Sequence, residues 1–435
     1  MIIKTVTVLG ANGTMGKNVS AIFASFGNAN VYMVSRSMEQ SQKAVEEASM
    51  LVKADSIRKR LIPITYDALS EAVEKSDLVF ESVAENIEIK KGINSSVEKY
   101  LSETALLCTG TSGLSIDDLA KELSESVKKR YMGVHFFNPP YSMPLCEVIP
   151  NKSTDVNTKM ELKQYLEKIL FRTVVEVKDE AAFLGNRIGF FFINEALQYA
   201  EKYEDRGGVD YIDAILGAYT GRSMPPILTA DFVGLDIHEA IVDNVYSHSN
   251  DCSKESFVLP VFVKKLIEKG ALGKKTRSGL YKTLYDENGK KNTLVYDIKT
   301  GEYRELRLYD IPFKKKVISL LREGAYKEAI DVLCESQSEE AKIVRDFMSR
   351  YVVYSLNVAR EISTDKHAAD HVMATGFNWI PPFAVIEAMG GKDRMYEIIK
   401  NADMHNLELD FKHIKELIEQ ADKSLYDFRK FLKAK

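Results

Sequence analysis

The chain has 435 residues, 45% hydrophobic and 28% charged, with a net formal charge of −4. That length exceeds one compact core and calls for two or three domains. The charge gives no electrostatic reason for a nucleic-acid or anionic-membrane partner, and no apolar run is long enough to span a bilayer. From the amino terminus, apolar β-branched runs recur at "KTVTVLG", "NVYMVS", "RLIPIT", "SDLVFESV", "TALLCTG" and "RYMGVHFF". Helical patterns separate them, with Met15, Val19, Ile22, Phe23 and Phe26 on one stripe. This alternation predicts an α/β domain with a parallel sheet covered by helices on both faces. "TVVEV" at Thr173–Val177 reads as its last strand, and from about Glu180 long helical patterns take over.

The helical part contains a repeat. "SMPPILTADFVG" (223–234) and "WIPPFAVIEAMG" (379–390) align without gaps, and a double proline followed by an amphipathic run ending in glycine marks a helix start and stop. Two related all-α units are therefore expected, joined by residues 281–340. That connection reads as a hairpin in "LVYDIKTGEYREL", turning at Thr300-Gly301, and a basic helix. The four cysteines, Cys108, Cys146, Cys252 and Cys334, form no C-x-x-C pair and read as reduced thiols, neither a disulfide frame nor a metal site. The amino terminus opens as a strand, not a signal peptide, so a cytoplasmic location is the expectation.

"VTVLGANGTMGKN" places Gly10, Gly13 and Gly16 between a strand and a helix. Glycines allow the backbone to turn tightly and approach phosphate oxygens, and a helix start offers unpaired N–H groups to an anion. As the first strand–helix turn of the sheet, this loop reads as a dinucleotide site, with Thr14 and Met15 beside the glycines. In such sites an acid about twenty residues onward binds the ribose 2′-hydroxyl. Here Ser35-Arg36-Ser37 occupies that place and no acid appears before Glu39. An arginine flanked by hydroxyls could hold a 2′-phosphate, which leans the chemistry towards NADP; stacking on adenine or facing water are the alternatives.

In "MGVHFFNPPYSMPLCEVI", His135 ends a strand and Glu147 lies in the next apolar run. A histidine with an ordinary pKa near about 6.5 is suited to acid–base work, and a neighbouring carboxylate would fix its tautomer. A strand histidine in a structural role is the competing reading.

Taken together, these stretches resemble the L-3-hydroxyacyl-CoA dehydrogenases. "HFFNPPYSMPLCEVI", "ESVAENIEIKK", "CTGTSGLSID", "FLGNRIGFFFINEA", "PPILTADFVGLD" and "LGKKTRSGLYK" are similar, in order, to that family's signatures over about residues 1–282. The resemblance implies a Rossmann-type doubly wound sheet over 1–179 and a first helical domain over 180–283. It further implies a linker over 284–340 and a second, degenerate helical domain over 341–435, as in the family's longer members. It implies that His135 takes the proton of a 3-hydroxyl, that Glu147 orients His135, and that Ser112 and Asn186 hydrogen-bond the reacting oxygen. Glu85 and Lys90 would lie near the nicotinamide, and Lys90 and Lys91 are candidates for coenzyme A by position. The implied cofactor is NAD and the implied substrate an acyl-CoA. A dehydrogenase of a free hydroxy acid or sugar acid, and a non-catalytic dinucleotide-binding relative, are the alternatives. The expected assembly is a monomer with an internal pseudo-dimer, or a homodimer. Because the chain runs to Lys435 without an enoyl-CoA hydratase segment, hydration is expected to be done elsewhere.

Overall fold

The computed structural model describes every residue except Lys53, Asp286 and Lys435. The chain divides into two compact units, residues 1–183 with 362–365, and residues 184–361 with 366–435.

The first unit is built on eight strands: β1 (Thr5–Leu9), β2 (Asn30–Ser35), β3 (Leu61–Thr65), β4 (Leu78–Glu81), β5 (Leu106–Thr109), β6 (Tyr131–Phe136), β7 (Leu145–Pro150) and β8 (Thr173–Glu176). They lie in the order β3-β2-β1-β4-β5-β6-β7-β8. Residues such as Val6, Val8, Val31, Met33, Leu78 and Phe80 are fully or almost fully buried, which is why these strands read as continuous apolar runs. Val19, Ile22 and Phe23 of helix Thr14–Ser25 pack into the same core, whereas Phe26, just past the helix, is partly exposed.

Two strands depart from the expected all-parallel sheet: β7 runs antiparallel to β6, and β8 runs parallel to β7 and so opposite to the first six. Only residues 137–144 join β6 to β7, and a parallel crossover needs a dozen or more residues. The resulting hairpin pairs His135 directly with Glu147. The sheet otherwise reverses its winding between β1 and β4, so the carboxyl ends of these strands bound a crevice of the kind that holds ligands in open α/β sheets.

The second unit is mostly helical and carries one three-stranded sheet of β9 (Tyr281–Tyr285), β10 (Lys291–Tyr296) and β11 (Tyr303–Glu305). β10 and β11 form the hairpin read from the sequence, with Gly301 in the left-handed region at φ 73°. The basic helix follows at Pro312–Arg322. Two long helices, Gly185–Lys202 and Glu339–Ile362, supply the centre of this unit. Phe191 stacks on Tyr354 with centroids 3.9 Å apart, and Glu195 accepts from the Arg350 guanidinium at 2.9 Å.

Both double prolines start helices, at Pro226–Val233 and Pro382–Ala388. Asp213 accepts from the N–H of Ile227 and Leu228 and from the Tyr281 hydroxyl. Asp370 accepts from the N–H of Phe383 and from the Ser424 hydroxyl. Each buried carboxylate thus ties down a helix start that proline leaves poor in donors.

Candidate active site

Gly10 follows β1 in the left-handed region at φ 70°. A side chain there would place its Cβ 2.4 Å from the Ser82 carbonyl oxygen, on the loop after β4. A Cβ on Gly16 would meet the Gly10 carbonyl at the same 2.4 Å, so these two glycines are required by the turn itself. Gly13 caps helix Thr14–Ser25 without any side-chain cap bond, and the first turn, with Thr14, Met15 and Gly16, carries no acid. An anion-ready helix start at the winding reversal is what a pyrophosphate needs. The residues present therefore fit a dinucleotide.

Across the crevice rim, Leu9 pairs with Val34, which sets Ser35 opposite Gly10. Ser35 is buried and Arg36 exposed. Tyr66, just past β3, takes a hydrogen bond from the Gly10 backbone; burial raises its phenol pKa while the Arg36 charge lowers it.

At the ends of β4 and β5 lies a buried ionic cluster. Lys90, 1% exposed, donates to both carboxylate oxygens of Glu81 at 2.8 and 3.1 Å and lies 3.3 Å from Glu85. Glu81 also accepts from the Thr109 hydroxyl and the Val83 N–H. Glu85 accepts from the Thr111 hydroxyl and, at 2.8 Å, from the Ser112 N–H. Glu81 belongs to none of the sequence motifs; its one local signal is an acid closing the apolar run "LVFE". Asp179, which no sequence motif marks, accepts from the N–H groups of Ile116 and Asp117 and from the Ser115 hydroxyl, fixing the far side of the Ser112 loop.

His135 closes β6. Its Nδ1 lies 2.8 Å from Glu147 Oε2, with the histidine 5% exposed and the glutamate fully buried. The ring edge meets Phe137 at 4.6 Å and Phe183 at 5.7 Å between centroids. The carboxylate accepts a hydrogen bond from Nδ1–H, leaving Nε2 as the nitrogen for proton transfer. Ser112 follows β5, and Thr109 pairs with Gly133, so Ser112 and His135 stand at carboxyl ends of adjacent strands. Asn186 belongs to the second unit, where it is buried in the first turn of helix Gly185–Lys202. Its neighbour Arg187 donates to Asp251 at 2.7 Å.

The matches to known proteins agree with this layout. Residues 5–180 match the family model "3-hydroxyacyl-CoA dehydrogenase, NAD binding domain", and residues 183–283 match "3-hydroxyacyl-CoA dehydrogenase, C-terminal domain". NAD is the dinucleotide that the first match supports. A "Probable 3-hydroxyacyl-CoA dehydrogenase" of Bacillus subtilis is 30% identical over 82% of this chain and 44% of its own length. One so named from Deinococcus radiodurans is 32% identical over 67% of this chain and 86% of its own. The chain spans about half the length of several curated relatives it matches. The crystal structure of 3-hydroxybutyryl-CoA dehydrogenase from Escherichia coli aligns with 97% of this chain and 100% of that one, at 20% identity and a TM-score of 0.71, which establishes the shared fold. The chain belongs to the 3-hydroxyacyl-CoA dehydrogenase family.

Proposed function

We propose that this protein transfers a hydride between C3 of a 3-hydroxyacyl-CoA and a nicotinamide dinucleotide, interconverting the 3-hydroxyacyl and 3-oxoacyl thioesters. The observation that carries the reading is the cross-strand pair His135–Glu147, 2.8 Å apart and buried beside the dinucleotide crevice. When bound, the dinucleotide supplies the hydride acceptor. His135 Nε2 takes the proton of the 3-hydroxyl as the C–H bond breaks. Glu147 holds the ring in the required tautomer and offsets the charge of the imidazolium. Ser112 donates a hydrogen bond to the oxygen, where charge changes most, and Asn186 is the second donor that the resemblance to the family assigns. Glu85 positions Ser112 through its backbone N–H, and the Lys90 ammonium, engaged by Glu81 and beside Glu85, holds that loop in place at the nicotinamide end.

The test is turnover of acetoacetyl-CoA beside free acetoacetate, for the wild type and His135→Gln. The reading expects rapid, thioester-dependent reduction, and a variant at least roughly a thousandfold slower that still binds dinucleotide. Comparable rates for the variant would remove His135 as the base; equal use of free acetoacetate would remove the acyl-CoA.

The same proposal extends to assembly. The two Pro-Pro helices and their aspartates support an internal duplication. His238 Nε2 donates to Asn194 Oδ1 at 3.0 Å, and His413 Nε2 to Asn357 Oδ1 at 2.8 Å, one pair for each copy. This register sets Ser349-Arg350 opposite Asn186-Arg187, so the second copy lacks the asparagine and has a structural role. The copies pack as a built-in pair, and a monomer is expected by light scattering. Among the described residues no helix is long and apolar enough to cross a membrane. A reducing, cytoplasmic setting suits the four free cysteines.

A further inference from the structure

We propose that the rim formed by Ser35, Arg36 and Ser37 binds a 2′-phosphate, so that this chain takes NADP(H) in preference to NAD(H). The inference rests on the dinucleotide site proposed above but not on the identity of the substrate.

Four observations converge on this rim. First, the strand register sets Ser35 opposite Gly10, at the position where a ribose 2′-hydroxyl would meet a carboxylate, and a serine stands there instead. A carboxylate at this place repels a phosphate dianion; a hydroxyl does not. Second, Ser35 is 1% exposed, and its Oγ has no hydrogen-bond partner among the described residues. An orphaned buried hydroxyl is costly unless something completes it. Third, Arg36 is exposed and makes no ion pair or side-chain hydrogen bond among the described residues. Its charge still reaches the Tyr66 phenol, which is itself bonded to the Gly10 backbone, so the guanidinium belongs to the neighbourhood of the glycine loop. Fourth, Ser37 stands immediately before helix Met38–Val52 and its Oγ accepts from the Gln40 N–H. Within that first turn the Gln40 and Ser41 N–H groups are taken by Ser37, and the helix dipole at this start still favours an anion.

A planar guanidinium, two hydroxyls and a helix start are the donor set for a phosphate monoester. Two exposed carboxylates nearby in the chain oppose it: Glu39 in the first turn of the same helix, and Asp67, two residues past Thr65, the cross-strand partner of Ser35. Both are exposed to solvent, where screening over about 8 Å at physiological salt weakens their effect on a bound phosphate.

The experiment measures binding of two cofactor fragments, 2′,5′-ADP and 5′-AMP, by calorimetry on the full chain, with no substrate and no turnover. Wild type is expected to bind 2′,5′-ADP roughly tenfold or more tighter than 5′-AMP. Arg36→Gln should erase that difference while leaving 5′-AMP unchanged, and Ser35→Asp should reverse it. Equal or weaker binding of 2′,5′-ADP by the wild type, including no binding of either fragment, overturns the inference; so does an unaltered preference in Arg36→Gln. The two proposals fail separately. A preference for 2′,5′-ADP without acetoacetyl-CoA reduction would sink the substrate reading alone. Reduction with NADH at least as efficient as with NADPH, and no fragment preference, would sink this one alone.

Discussion

Replacing Glu147 by glutamine isolates what a negative charge beside His135 contributes. The two side chains are direct cross-strand partners, 2.8 Å apart, with the histidine 5% exposed and the glutamate at zero. Glutamine keeps the volume and an oxygen that still accepts the Nδ1–H, so ring orientation and packing survive. Only the charge that steadies the imidazolium is lost. A hydrogen bond to a charged group is worth about 1.5–3 kcal/mol against about 0.5–1.5 kcal/mol for a neutral one, a difference of about 1–1.5 kcal/mol. Because the imidazolium forms only as the proton transfers, that difference falls on the transition state and appears in kcat. The expected loss is roughly 5- to 13-fold in kcat, with dinucleotide affinity unchanged within about twofold. Stopped-flow reduction of acetoacetyl-CoA, with fluorescence titration of the dinucleotide, measures both. A kcat within about threefold of wild type would refute the claim that Glu147 acts through the charge on His135.

Two further substitutions probe the helical unit. His238 is fully buried; its Nε2 donates to Asn194 while Nδ1 has no partner among the described residues, and burial holds its pKa down to about 3. The unfolded chain, with a histidine pKa near about 6.5, binds the proton more readily, so stability is full above that pH and is lost as pH falls towards 3. At pH 5 the loss is about 2 kcal/mol, and His238→Gln, keeping a donor for Asn194, should remove that increment from urea unfolding compared at about pH 7 and 5. Identical pH dependence in the variant would contradict the assignment. Gly189, on helix Gly185–Lys202, has no room for a methyl group, since a Cβ would stand 2.3 Å from the Phe377 ring. Alanine normally favours a helix by up to about 1 kcal/mol, but here overpacking should destabilise by about 1–3 kcal/mol. A raised melting temperature for Gly189→Ala would show that the Phe377 ring does not press on helix Gly185–Lys202 there.

Several features were legible along the chain because they depend on neighbours in sequence. The alternating apolar runs marked β1 to β6 and β8, since strands buried on both faces need uninterrupted β-branched and aromatic residues. Gly10 and Gly16 were legible for a similar reason: a turn this tight excludes a Cβ. The hairpin at Gly301 and the Pro-Pro helices likewise follow from local backbone chemistry.

Other features depended on distance in space. Glu81 reads as the end of a strand until Lys90, a turn and part of a helix later, closes on it. Lys90 and Lys91 looked alike in sequence, yet one is buried in that cluster and the other is not. By itself the sequence determined the order of strands and helices, the glycine turn and the residue types able to carry acid–base chemistry, because each is set by local conformational preference. Only the tertiary structure decided that β7 folds back antiparallel on β6 and that His135 and Glu147 meet in register, because side chains twelve residues apart share one face only once the hairpin closes.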